Sequence, residues 1–329
     1  MSMIEVNALE KHFKIYKHHR GGWGAVRNLL TREYRLIKAV DQVSFTIQPG
    51  ELVGYLGPNG AGKSTTLKML TGLLVPSGGE LRVNGFVPWK ERRQFVAHIG
   101  AVFGQRPTLW WDLPVIESLD LLQYIYRIPS ARFQANLEQF IHLLDMEPFL
   151  QTPVRSLSLG QRMRADISAA LLHDPAVLFL DEPTIGLDVV AKERIRQFIL
   201  RVNRERGTTV ILTTHDLQDV EKLCERVMII DSGRKLFDGT LDTLRERFGG
   251  QRQLVVDFAE PYPHPELPPV QIVKQEGQRV TYQFDRQTIS ASDLIARLSV
   301  QYRIRDLEVR EADIEETIRR IYEEKLLES

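Results

Sequence analysis

Cysteine is all but absent. Cys224 is the only one in 329 residues, so no intrachain disulfide can staple the fold, and a reducing compartment is the natural setting. Long apolar runs are missing as well. Stretches such as Ala176 to Leu180 are strand-sized, far short of the roughly 20 residues that a membrane helix needs, so the polypeptide is not expected to cross a bilayer by itself. Neither sign of charge is in excess: 43 Lys plus Arg balance 43 Asp plus Glu. No overall field gathers nucleic acid or anionic lipid, and no nucleic-acid partner is expected. At 43% hydrophobic and 26% charged the composition excludes disorder, collagen-like repeats and coiled-coil bias. The opening residues, Met1 to Phe13, lack the basic start and apolar run of a secretory signal and read as a strand.

What is present is a βα pattern on a chain long enough for two units. Short apolar runs at Leu52 to Leu56, Ile99 to Phe103, Val177 to Leu180, Val210 to Thr213 and Val227 to Ile230 predict a buried, largely parallel sheet. Between about Pro107 and Asp174 helix-period segments take over, including Ile116 to Tyr126 and Phe133 to Leu144, which predicts a helical insertion. The proline-rich run PYPHPELPP after Gly250 breaks regular structure. Beyond it, Gln271 to Lys274, Arg279 to Phe284, a helix from Ala291 to Val300, Ile304 to Val309 and a charged helix from Asp313 suggest a small α+β unit. The expected domains are therefore 1–248, with the insertion at about 107–174, and an accessory unit at 251–329.

Two motifs carry chemistry. GPNGAGKST, spanning Gly57, Pro58, Asn59, Gly60, Ala61, Gly62, Lys63, Ser64 and Thr65, follows the apolar strand LVGYL. Binding a polyphosphate requires several backbone N–H groups aimed at one anion. Glycines such as Gly60 and Gly62 allow the necessary conformations, and the next helix adds its positive end. Lys63 then reaches the outer phosphates and Ser64 offers a hydroxyl to Mg²⁺. The second motif, Ala176 to Pro183, ends an apolar strand in Asp181 and Glu182, at the sheet edge where parallel sheets bind ligands. One carboxylate is suited to the Mg²⁺ shell and its neighbour to polarising an attacking water.

With both motifs in order, the sequence resembles the nucleotide-binding subunits of ABC transporters over about residues 1–248. The resemblance extends to Gln105, matching the family's Q-loop glutamine, and to SLSLGQ at Ser156 to Gln161, matching its signature. Gly186 to Asp188 matches the D-loop, and His215 the switch histidine. Phe13 is similar to the aromatic that stacks on adenine, with Tyr16 a rival three residues on. The resemblance implies an α/β P-loop NTPase fold: a RecA-like core, an antiparallel β subdomain and a helical subdomain, here with a small C-terminal α+β domain. It implies Mg²⁺-dependent ATP hydrolysis with Lys63, Gln105, Glu182 and His215 in catalysis and Ser64, Gln105 and Asp181 at the metal. It also implies a head-to-tail homodimer, in which Ser158, Gly160, Gln161 and Asp188 of one copy face the nucleotide of the other. Ser158 makes sense as an N-cap that offers its helix end to an anion. Leu159 departs from the usual glycine of the signature. The family places such subunits on the cytoplasmic face of the cell membrane, held by integral permease subunits, and the pattern is closer to ABC-2-type exporters than to importers. The rival expectation is a soluble ABC ATPase acting on DNA or the ribosome.

Three further segments bear on partners. Residues 17–38 are locally basic, with Trp23, Val26, Leu29 and Leu30 able to form an apolar stripe on a helix that meets a membrane or a membrane subunit, or that packs on its own domain. Adjacent Trp110 and Trp111 cannot both enter one core, so one is a candidate docking anchor for the permease. The mildly acidic C-terminal unit carries no site chemistry and suits dimerisation or regulation.

Overall fold

The computed structural model describes residues 2–16, 34–104, 107–248, 251–263, 265, 267, 268, 270–285, 288–310, 314, 317–319, 321 and 322. They form two compact units, Met1–Asp238 and Gly239–Ser329.

The first unit opens with β1 (Ile4–Tyr16) paired antiparallel to β2 (Tyr34–Ile47). β4 (Gly78–Val83) joins the other edge of β1, giving the order β2-β1-β4. The β1–β2 ladder runs out as far as Tyr16 opposite Tyr34, so residues 34–38 are strand where a helix was expected. Pairing with β1 satisfies their backbone groups, which tertiary context prefers over local helical periodicity. Residues 17–33 of that segment lie outside the described residues.

A six-stranded sheet, ordered β5-β6-β7-β3-β8-β9, forms the centre. Its strands are β3 (Leu52–Leu56), β5 (Ile99–Phe103), β6 (Val177–Asp181), β7 (Thr209–Thr213), β8 (Arg226–Asp231) and β9 (Arg234–Thr240). From β5 to β8 the neighbours are parallel. Every residue of β3 and β7 is buried, as strands covered on both faces require. One face packs Tyr55, Phe179 and Ile211 against Ile4, Leu9, Ile47 and Leu81 from the antiparallel sheet. Each such large apolar side chain contributes about 1.5–3 kcal/mol by leaving water.

Helices α1 (Lys63–Leu70) and the short α2 (Arg92–Phe95) precede the insertion. The insertion itself holds α3 (Val115–Tyr126), α4 (Ser130–Leu144) and α5 (Leu159–Leu171). After β6 and β7 come α6 (Val189–Arg206) and α7 (Leu217–Leu223). None of the described helices is long and apolar enough to cross a membrane.

The second unit contains α8 (Leu241–Phe248), a four-stranded antiparallel sheet and α9 (Ala291–Gln301). The sheet order is β11 (Gln271–Glu276), β12 (Arg279–Asp285), β10 (Gln251–Phe258), β13 (Ile304–Arg310). Its core joins Leu254, Val256 and Phe258 to Tyr282, Leu294 and Leu298. β10 has no counterpart in the sequence reading, which placed the break at about Gly250. The prolines begin only at Pro261, so nothing prevents a ladder through Phe258. The described residues of the final segment, from 314 to 322, are helical, while Asp313 lies outside the described residues.

Candidate functional site: a phosphate cleft at the strand ends

Register fixes what meets at the sheet's C-terminal edge. Tyr55 pairs with Thr213, Asp181 with Thr213, and Phe103 with Asp181. Residues just beyond β3, β5, β6 and β7 therefore share one rim, the ligand-binding edge of an open α/β sheet. There they enclose a cleft of about 1020 Å³ lined by Gly57, Asn59, Ser64, Asp181, Glu182 and His215, among others.

The loop from Gly57 to Gly62 turns from β3 into α1 through left-handed conformations at Gly60 (φ 84°) and Gly62 (φ 107°). Gly62 has a second constraint: a Cβ there would lie 2.4 Å from the Ala39 carbonyl oxygen. The buried Lys63 ammonium donates to the Gly57 and Pro58 carbonyls at 2.6 and 3.2 Å. Desolvation holds its pKa below the ordinary lysine value, against the opposing pull of Glu182 and Asp181. Thr65, next on α1 and partly buried, is within the helix's first turn, beside Ser64.

Ser64 Oγ donates to Asp181 Oδ1 at 3.2 Å, and Thr213 Oγ1 donates to the same oxygen at 2.5 Å. A hydroxyl and a carboxylate this close are hard oxygen donors of the kind Mg²⁺ takes, with phosphate and water completing its shell. They fit that ion. Glu182 adopts φ 54°, uncommon for a residue with a side chain and the sort of strain that collects at functional sites. Its Oε2 lies 3.3 Å from His215 Nδ1. Gly104 packs onto the same strand end, its N–H donating to the Asp181 carbonyl at 3.0 Å. Gln105, the next residue, lies outside the described residues.

Other expected residues sit elsewhere. Ser158 caps α5 in a full capping box, its Oγ accepting from Gln161 N at 3.2 Å while Gln161 Oε1 accepts from Ser158 N at 2.9 Å. Asp188 caps α6, accepting from Ala191 N at 2.8 Å. Gly160 faces Ala191, and Leu159 Cδ2 would be 3.0 Å from a Cβ on Gly186, so the leucine covers Gly186 of its own chain. None of Ser158, Gly160, Gln161 or Asp188 lines the cleft, and neither does Phe13, which is 39% exposed with Lys11 Nζ 5.4 Å from its ring centre. Cleft residues that sequence reasoning passed over include Lys68, Leu73 and Thr108. No motif marks them, since each arrives through packing.

A carboxylate beside the site also went unread. Asp166, on the buried face of α5, accepts the Thr108 N–H at 2.8 Å, and burial pushes its pKa up to about 6 despite that bond and the nearby Arg162. A lone acid among Met163, Ile167 and Ala170 was the available signal. An acid whose folded pKa is raised holds its proton more tightly in the folded chain, so its ionisation costs stability as pH climbs from about 3.8 through 6. Asp166→Asn keeps an acceptor for Thr108 and removes that cost. Thermal melts should show it stabilising the protein by about 1–3 kcal/mol at pH 7.5, with the gain vanishing near pH 4. A gain independent of pH would contradict this.

The family model for ABC transporters matches residues 40–185. The ABC transporter ATP-binding protein NatA of Bacillus subtilis (strain 168) is 36% identical over 212 residues, covering 64% of this chain and 86% of that protein. The chain belongs to the ABC transporter ATP-binding family. The daunorubicin resistance ATP-binding protein DrrA3 of Streptomyces coeruleorubidus is 35% identical over 219 residues, covering 67% of this ABC ATPase and 69% of the relative. Among solved structures, an ATP-binding subunit of an ABC transporter superposes with TM-score 0.62 at 28% identity over 75% of this chain and 94% of the other. A dimeric cassette in a post-hydrolysis state with ADP and Pi superposes at 0.61, with 26% identity over 73% and 99%. The fold is thus that of an ABC-type P-loop ATPase, ATP is its nucleotide, and ATP hydrolysis is its reaction.

Proposed function

We propose that this ABC ATPase works as a homodimer on the cytoplasmic face of the membrane, driving export through separate integral permease subunits. The observation that carries the dimer is the division of the site. The groups suited to a triphosphate from below, Lys63, Ser64, Asp181, Glu182 and His215, gather in one cleft or beside it. Ser158 and Asp188 offer their anion-seeking ends outside that cleft. A second copy placed head to tail supplies them, with Gly160 and Gln161 alongside. ATP then adds attraction between two faces, and because the closed state alone uses Ser158, closure is favoured by differential binding.

Within the cleft, the Gly57–Gly62 loop binds the phosphates and Lys63 swings from its two carbonyls to the outer ones. Ser64 and Asp181, with Gln105 as a further ligand, would hold Mg²⁺, which when bound would supply positive charge to offset that of the phosphoryl oxygens. Glu182 takes the proton of the attacking water, and His215 orients it and the γ-phosphate. Phe13 or Tyr16 stacks on adenine. The C-terminal α+β unit serves dimerisation or regulation.

Export is favoured by relatives such as a Nod factor export ATP-binding protein of Ralstonia nicotianae, which weighs against the DNA or ribosome alternative. Permease docking is supported by the loop after Gln105. Trp110 and Trp111 are both exposed, at 41% and 48%, and Leu121, Tyr124 and Ile125 leave one side of α3 apolar and in water. Purification in mild detergent should bring an integral membrane protein along. A Trp110→Ala, Trp111→Ala double variant should recover at least tenfold less of it, since aromatic anchors dominate interface energy, with ATPase activity of the free chain kept. Equal recovery would refute docking through this loop.

A further inference from the structure

Beside the cleft lies a buried ion pair that no motif marks. Arg196 of α6 and Asp219 of α7 are 3% and 0% exposed. Arg196 Nε donates to Asp219 Oδ1 at 2.6 Å, and Nη2 makes ionic contact with the same oxygen. The other carboxylate oxygen receives two hydroxyls: that of Thr184, two residues after Glu182, and that of Thr214, at 3.3 Å, immediately before His215. On the far side of His215, Asp216 N donates to Thr214 Oγ1 at 2.9 Å, and Asp216 Oδ2 accepts from Lys192 Nζ of α6 at 2.5 Å. Arg196 Nη2 is 3.9 Å from that carboxylate as well.

From this we infer that Arg196 and Asp219 are positioning residues, which hold His215 against Glu182 and tie both to α6, the helix that Asp188 caps. The inference rests on the catalytic reading of Glu182 and His215 given above. His215 is itself 56% exposed and touches the base across 3.3 Å. Its place is therefore set by the residues on either side of it, and both are bound to the pair or to α6. One carboxylate spans the strand-end loops of β6 and β7, so a shift of His215 toward a γ-phosphate pulls on Asp219 and, through Arg196, on the segment beginning at Asp188. The strand-end site and the D-loop that faces the second copy thus move together. A buried ion pair is a poor stabiliser but a precise spacer, because moving either partner leaves a charge uncompensated.

The test uses the full chain with conservative replacements, Arg196→Lys and Asp219→Asn, each alone and combined with His215→Gln. Single-turnover and steady-state ATP hydrolysis are read, with thermal melts as a folding control. Misplacement of His215 by a fraction of an ångström predicts about a tenfold fall in kcat with KM within about twofold. Because the pair acts through His215, adding Arg196→Lys to His215→Gln should cost no more than about another twofold. Unchanged kcat in Arg196→Lys, or the same fold-loss in both backgrounds, would reduce the pair to a structural staple. Should Arg196→Lys fail the melt, Asp219→Asn decides by the same comparison. Glu182→Gln run alongside separates the two readings: if it still turns over, the site assignment fails, and if it is dead while the pair has no effect, only the positioning role falls.

Discussion

Glu182→Gln should lower ATP turnover by roughly 10²–10⁴-fold, the range that a positioned general base contributes. The substitution keeps the size and most of the hydrogen bonding of the side chain but removes its ability to accept a proton. The geometry makes the prediction specific. Glu182 is held in a left-handed backbone conformation at φ 54°, 3.3 Å from His215, while the metal-seeking pair Ser64 and Asp181 lies separately at 3.2 Å. Nucleotide affinity should therefore survive, because Lys63, Ser64 and Asp181 are untouched. Phosphate release and binding of a fluorescent ATP analogue check the two halves. Turnover within a few-fold of the wild type would remove Glu182 from the reaction.

Gly62→Ala should abolish ATP binding, with an affinity loss of at least about 100-fold, while Gly60→Ala is much milder. Both glycines have positive φ, so each alanine meets a backbone penalty of about 1–2 kcal/mol. The difference lies in what surrounds them. A Cβ at Gly60 has nothing within 4 Å, whereas at Gly62 it meets the Ala39 backbone oxygen at 2.4 Å. Ala39 lies in β2, which is anchored by its ladder to β1, so the phosphate loop has to give way instead. The N–H groups then no longer converge on one anion. Titration with ATP and a melt on each variant check the contrast. Equal binding by the two variants would show that the loop tolerates the displacement.

Much of this architecture was legible in the sequence because local and global demands coincide there. β3 and β7 are wholly buried and so read as unbroken apolar runs, and the glycines of the phosphate loop are the residues its backbone angles require. Ser158 was readable as an N-cap because capping is a local matter, and its capping box with Gln161 lies within four residues. Features set by distant partners were not readable. Residues 34–38 carry no strong strand signal of their own and become strand through their pairing with 12–16. β10 lies against a proline-rich run whose effect reaches less far than composition suggests. Arg196, Asp219 and Asp166 belong to no motif, and only the fold brings Thr184, Thr214 and Thr108 to the two carboxylates.

The central claim is that ATP joins two copies and hydrolysis parts them. Multi-angle light scattering on Glu182→Gln tests it most directly, with the isolated chain and with its membrane partner present. On adding ATP and Mg²⁺ the 37.9 kDa chain should double in mass, and Ser158→Arg in the same background should prevent the change. A hydrolysis-deficient chain that binds ATP yet keeps its monomer mass in both settings would contradict the account.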